Sequence, residues 1–162
     1  MKPHAGLLKQ PGCALALSFG VGLSPWAPGT FGALVAFPLY FVLRSAPPFI
    51  IAALLIVFLI AGCIACGKAC RVLGQQDHGS IVWDETYGML LVLLCVPFSP
   101  LWWLAAFVAF RFFDIVKPWP IRLVDIYTGG GIAVMLDDAA AAVSSIAVLW
   151  AAEYSFGFLF TG

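Results

Sequence analysis

The sequence predicts an all-α integral membrane protein, with about four to five membrane-embedded helices and a polar site on one face. Three observations carry this. First, 63% of the 162 residues are hydrophobic and 10% are charged, and the mean hydropathy of +1.04 lies outside ordinary soluble composition. Second, residues 49–67 and 139–160 each reach the roughly 20 apolar residues that span a bilayer's hydrocarbon. Third, seven of the eight carboxylates, Asp77, Asp84, Glu85, Asp114, Asp125, Asp137 and Asp138, fall within one stretch of the chain. An ionised side chain near the bilayer centre costs roughly 2.5–3.5 kcal/mol on insertion scales, so acids persist only where water, a partner or a metal compensates them. Seven gathered acids suggest a metal site.

The elements follow in chain order. Lys2 and Lys9 precede an apolar stretch, residues 12–23, that is broken by Gly20 and Gly22 and shows no cleavage pattern, so no secretion signal is expected. The turn-rich run Ser24-Pro25-Trp26-Ala27-Pro28-Gly29-Thr30-Phe31-Gly32 leads into a helix over residues 30–43, which Pro38 should kink. Residues 49–67 form the first full-length span. Residues 86–98, behind an acidic pair, and residues 101–116, which contain Arg111 and Asp114, read as shorter spans ending in a hydrated layer. Residues 139–160 form the last. Nothing divides the chain, so residues 1–162 are read as one domain.

With five spans and a cytoplasmic N-terminus, Lys2, Lys9, Lys68, Arg71, Arg111, Lys117 and Arg122 lie on or near the cytoplasmic side, and only Arg44 faces out. The same topology brings all seven clustered acids inward. The outer connections, residues 44–48 and 98–100, are too small for a site. The inner ones, residues 68–85 and 111–138, hold the polar chemistry.

Four segments can carry that chemistry, and each has a plainer reading. In Asp77-His78-Gly79-Ser80-Ile81-Val82-Trp83-Asp84-Glu85, adjacent carboxylates suit a hard cation such as Mg²⁺, which takes one or two carboxylates plus substrate phosphate; they also suit the first turn of a helix. In Arg111-Phe112-Phe113-Asp114-Ile115-Val116-Lys117-Pro118-Trp119-Pro120, charges recur every third residue, as in a self-neutralising ladder. Beside a metal site, however, Arg and Lys are also phosphate ligands. Thr128-Gly129-Gly130-Gly131 leads to Asp137-Asp138, where backbone amides can meet an anion or Asp137 can act as an N-cap. The turn carrying Thr30 is either a simple helix start or a further phosphate contact.

Several classes are disfavoured. Net charge is zero and no basic stripe runs between the aromatics, so nucleic acid is not an expected partner. Five cysteines, Cys13, Cys63, Cys66, Cys70 and Cys95, lie mainly in apolar segments and read as reduced structural thiols. Four residues separate Cys66 from Arg71, one fewer than the five a cysteine phosphatase loop places between them, and His4 and His78 do not make a phosphohistidine pair.

Together the segments resemble the phosphatidylglycerophosphatase A family, bacterial membrane lipid phosphatases, from about Phe19 to about Ala142. The resemblance rests on Gly20-Val21-Gly22-Leu23-Ser24-Pro25, Ala27-Pro28-Gly29-Thr30, the Asp77 to Glu85 run, Phe110-Arg111 with Asp114, Lys117-Pro118-Trp119-Pro120-Ile121-Arg122, and Met135 with Asp137-Asp138. Ala133 and Ala33 depart from the family pattern, where glycine and serine are common, and neither replaces a charged residue. The resemblance implies Mg²⁺-dependent hydrolysis of phosphatidylglycerophosphate to phosphatidylglycerol and inorganic phosphate, at the cytoplasmic face of the inner membrane. The lipid substrate and the bilayer are then the partners; oligomeric state carries no signal.

The expected site has Asp84, Glu85, Asp137 and Asp138 around Mg²⁺, with Arg111, Lys117 and Thr30 on the phosphate. Asp84, Asp114 and Asp138 are the expected catalytic residues. Asp114 stays open between metal ligand, water-orienting group and nucleophile, and direct attack by activated water is preferred because a metal makes a covalent intermediate unnecessary. Two rivals are a lipid phosphotransferase of another kind, whose spaced-aspartate pattern is not found, and a small ion or proton transporter, whose acids should be scattered across the membrane's depth.

Overall fold

The computed structural model describes residues 3–75, 78–119 and 130–156. Every regular element among them is helical: α1 (Pro11–Ala16), flanked by 3₁₀ turns at Ala5–Lys9 and Ser18–Leu23, then α2 (Pro28–Leu43), α3 (Pro48–Leu73), α4 (Trp83–Leu94), α5 (Pro100–Val116) and α6 (Gly130–Phe156). Four of these begin with proline, whose fixed φ and missing N–H suit the first helical position. α3 ends where Gly74 turns left-handed at φ 71°. α5 ends where Lys117 does the same at φ 44°, immediately before Pro118, which disfavours a continued helix.

Length separates the helices into two kinds. At 1.5 Å per residue, the 26 residues of α3 and 27 of α6 extend about 40 Å, more than the roughly 30 Å of hydrocarbon. Both are long and apolar enough to cross a membrane. Ile56, Val57, Ile60 and Ile64 of α3 are exposed, the opposite of a soluble protein's core helix. The other three apolar helices are shorter than the hydrocarbon is thick: α2 has 16 residues, α4 has 12 and α5 has 17. The expectation of four to five spans therefore meets two helices of full length. α2 runs through Pro38 as one helix.

α4 is the centre of the bundle, packing against α2, α6, α5 and α3. It is buried nearly all round, from Trp83 and Asp84 to Val92 and Leu93, the pattern of a helix enclosed by others. Leu90, Leu93, Phe110, Ala141 and Ala142 form one apolar cluster beside it; Leu17, Cys66, Leu73, Trp83 and Met135 form another. Where lipid replaces water, such clusters hold by close packing rather than by transfer out of water. At the opposite end from the acids, Tyr40, Phe41, Phe98 and Trp103 cluster edge-on, and the Arg44 guanidinium lies 3.6 Å over the Phe98 ring.

One boundary differs in a way that matters for the site. The sequence reading began the last helix at residue 139, but α6 begins at Gly130 and so contains Asp137 and Asp138 two turns inside it. The N-cap alternative for Asp137 is overturned. The apolar run Ile132-Ala133-Val134-Met135-Leu136 carries the helix back past the acids, with Ile132 and Leu136 exposed while Ala133, Met135, Asp137 and Asp138 are buried.

Candidate active site

The site begins in the first turn of α4, where Asp84 and Glu85 follow the N-cap residue Val82, which provides no side-chain cap. Carboxylates there complement the helix dipole, but capping alone leaves them in solvent. Here Asp84 is 6% exposed, and Asp84 Oδ1 and Glu85 Oε2 are buried with no hydrogen-bond partner. The third acid arrives on α6. Gly88, one turn beyond the pair, lets α5 and α6 close onto α4: a Cβ there would stand 2.6 Å from the Phe110 ring and 3.0 Å from the Asp138 carbonyl oxygen. That approach brings Asp138 beside the pair, its Oδ2 also buried and unpartnered.

Asp84, Glu85 and Asp138 each offer a ligand oxygen, and these oxygens all lie within 4.8 Å of one another. Oxygens on opposite sides of one Mg²⁺ are about 4.2 Å apart, and on one Ca²⁺ up to about 5 Å. A divalent cation therefore fits with shifts of a few tenths of an ångström. Electrostatics point the same way: burial, then the negative charges of Glu85 and Asp138, hold Asp84 well above the usual carboxylate range. Burial also pushes Glu85 up to about 7, partly offset by a hydrogen bond from Asp84. Three buried carboxylates resist ionising together unless a cation joins them.

The cations line the same cavity. Arg111 on the last turns of α5 pairs with Asp114, three residues on. Lys117, in the left-handed position that ends α5, pairs with Asp137 of α6. A non-glycine residue at positive φ is strained and persists where its surroundings require it; here it turns the ammonium toward α6. The Arg111 Nε is buried and unpartnered, so the guanidinium keeps a donor for another anion. Asp84, Glu85, Arg111, Asp114, Lys117 and Asp137 line one cavity of about 220 Å³ with Asp138, Gly79, Ile115 and Val134.

α2 closes the site with its first turn. A Cβ at Gly29 would run into Glu85 Oε1 and stand 3.3 Å from Arg111 Nη1, so only glycine lets this turn lie against both an acid and a cation of the site. Gly29→Ala is expected to displace Glu85 and Arg111 and lower the activity of the site about tenfold or more while the bundle stays folded; initial rates and a melting curve on the purified variant check this.

Of the residues expected at the site, Asp84, Glu85, Arg111, Asp114, Lys117, Asp137 and Asp138 line the one cavity. Asp137 stands in an ion pair with Lys117 rather than in the carboxylate triad. Thr30 is half-buried beside Gly29 and is not among the lining residues. His78 keeps to its loop, where its Nδ1 accepts from the Ser80 N–H at 3.2 Å. Cys63, Cys66 and Cys70 form no disulfide. Asp77, Arg122, Asp125, Thr128 and Gly129 lie outside the described residues. The sequence reading missed Gly29 and Gly88 as packing positions. Their signal was present: Gly29 opens a helix, and Gly88 sits three residues after Glu85.

Residues 14–153 match the family model described as "Phosphatidylglycerophosphatase A". The chain is 40% identical over 144 residues to phosphatidylglycerophosphatase A of Escherichia coli strain K12, covering 88% of this chain and 84% of that one. It is 44% identical over 151 residues to the protein of the same name from Haemophilus influenzae, covering 91% of each. A Bacteroides thetaiotaomicron protein, provisionally named a phosphatidylinositol-3-phosphatase, is 38% identical over 88% of this chain and 94% of its own. No solved structure matches.

Proposed function

The chain belongs to the phosphatidylglycerophosphatase A family, and on that basis we propose that it hydrolyses the terminal phosphomonoester of phosphatidylglycerophosphate. The products are phosphatidylglycerol and inorganic phosphate. The observation that carries the reading is one cavity holding three carboxylates with buried, unpartnered oxygens beside two cations. Membrane-embedded acids without a role are costly, and this arrangement matches a phosphate bound through a divalent cation.

Asp84, Glu85 and Asp138 would hold Mg²⁺, with Asp137 joining them when substrate takes its place on Lys117. A bound Mg²⁺ polarises the phosphoryl group and lowers the pKa of water. Arg111, through its planar fork and spare Nε donor, and Lys117, as a point charge, hold the phosphate oxygens. Thr30, next to Gly29 but not lining the cavity, would reach the phosphate only by a shift of the α2 first turn. Asp114 orients the attacking water and receives its proton. The water oxygen would bond to phosphorus as the bond from phosphorus to the headgroup oxygen breaks; that oxygen would take a proton from solvent and leave as the alcohol, and Asp114 would return the proton it received to solvent. No covalent enzyme intermediate is needed.

We place the site at the cytoplasmic face of a bacterial inner membrane, with α3 and α6 crossing it and α2, α4 and α5 embedded between them. The lipid's acyl chains then stay in the bilayer while its headgroup enters the cavity. The transporter rival loses support because the described buried acids share one cavity instead of marking a path. Purified protein in phosphatidylglycerophosphate-containing vesicles should release inorganic phosphate from the monoester, stop on chelation and resume with Mg²⁺. Absence of release under those conditions contradicts the proposal.

A further inference from the structure

Thr86, next to Glu85, is a fully buried hydroxyl that the reaction scheme does not use. A threonine inside a helix commonly bonds the carbonyl four residues back, and the Thr86 Oγ1 does lie 3.0 Å from the Val82 oxygen. It also reaches out of its helix. It lies 2.8 Å from the Gly32 carbonyl oxygen of α2 and 2.9 Å from the Ser18 Oγ, itself buried at 2% exposure. With one hydrogen each, the arrangement closes when Ser18 donates to Thr86 and Thr86 donates to Gly32.

Each end of this chain of hydroxyls bears on the site. Gly32 lies on the same face of α2 as Gly29, one turn away, and Gly29 is the residue that abuts Glu85 and Arg111. Ser18 holds a left-handed backbone at φ 43°, a strained conformation for a non-glycine residue. Two residues before it, the Ala16 carbonyl accepts the Val82 N–H at 2.9 Å. The N-terminal segment, the entry to α4 and the first turns of α2 are thus fastened together by one buried polar network, one residue from the acid pair. Buried polar groups of this kind rigidify their surroundings when every member is satisfied.

We propose that Thr86, supported by Ser18, is a positioning residue for the reaction: its hydroxyl sets the register of α2 against α4, and so the placement of Glu85 within the carboxylate triad. The inference rests on the triad being the cation site of the proposed phosphatase. Its test therefore carries a readout that does not need turnover.

Thr86→Val keeps the shape and removes the hydroxyl, and Thr86→Ser keeps the hydroxyl. Three quantities are read on purified protein: melting, Mn²⁺ affinity without substrate, and kcat against KM with Mg²⁺. Thr86→Val is expected to melt cooperatively, to bind Mn²⁺ several-fold more weakly and to lose kcat about tenfold or more with a smaller change in KM. Thr86→Ser should recover most of both. Wild-type Mn²⁺ affinity and kcat in Thr86→Val would overturn the proposal. So would a loss of activity that only tracks the folded fraction, since that marks a structural role alone. Should Thr86→Val not fold, Ser18→Ala, which leaves the bond to Gly32, must show a smaller shift of the same sign; unchanged Mn²⁺ affinity there overturns the proposal. If the wild-type protein releases no phosphate, the phosphatase reading fails, and the Mn²⁺ affinities still decide the role of Thr86.

Discussion

Replacing Asp84 or Asp138 by Asn should abolish phosphate release, by about a thousandfold or more, while making the metal-free protein more stable. The two effects have one cause. Each side chain is buried, with an oxygen that no hydrogen bond satisfies, and each stands within 4.8 Å of the other members of the triad. Without a cation, three neighbouring carboxylates must stay partly protonated or repel. Asn has nearly the same shape and no charge, so it relieves that conflict, and the melting temperature without metal should rise by a few degrees. The same change removes a ligand where the developing charge has to be stabilised, an effect of about 10²–10³ for a single donor elsewhere and larger for a metal ligand. Adding Mg²⁺ should raise the melting temperature of the wild type, because it binds only the folded state, and should leave both variants unmoved. Phosphate release with excess Mg²⁺, beside melting curves with and without it, tests the pair. Near-wild-type turnover in both variants would remove the metal assignment.

The second large effect is expected at Lys117, which lines the same cavity. Lys117→Met should raise KM and lower kcat/KM by about a hundredfold, and should also destabilise the fold. Lys117 is paired with Asp137, whose side chain is 5% exposed. Breaking a fully buried pair costs about 3–5 kcal/mol because it strands the remaining charge. The Lys117 side chain is 29% exposed, so solvent screening should bring the loss nearer about 1–2 kcal/mol. Arg111→Lys separates charge from shape: it keeps the cation facing Asp114 but loses the planar fork and the Nε donor, and should lower kcat/KM about tenfold or more with little change in stability. Initial rates against lipid mole fraction measure both. An unchanged KM in both variants would mean that neither cation holds the phosphate.

How much of this was legible in the sequence depended on whether a feature was local. Helix positions were readable because proline starts and apolar runs are local signals, as at Pro28, Pro48 and Pro100. The acids stood out because charge is rare in this composition. What the sequence could not show was how these elements approach one another. Asp138 joins Asp84 only because Gly88 and Phe110 allow α6 close to α4, and Asp137 leaves the triad only because Lys117 ends its helix in a left-handed turn. That α6 reaches back past the acids was hidden because the acid pair looks like a helix boundary when burial is not yet known. The number of full-length spans was less legible for a related reason. Apolar content marks a helix as buried, but α4, with 12 residues, is buried by its neighbours, and composition does not separate that case from burial in lipid.

The central claim is that Asp84, Glu85 and Asp138 together hold the divalent cation on which catalysis depends. It is tested most directly by Mn²⁺ binding, followed by electron paramagnetic resonance on the metal-stripped protein, with no substrate present. Saturable binding in the wild type and in Lys117→Met, with loss of that binding in Asp138→Asn, is the result expected. Binding in Asp138→Asn equal to the wild type would contradict it.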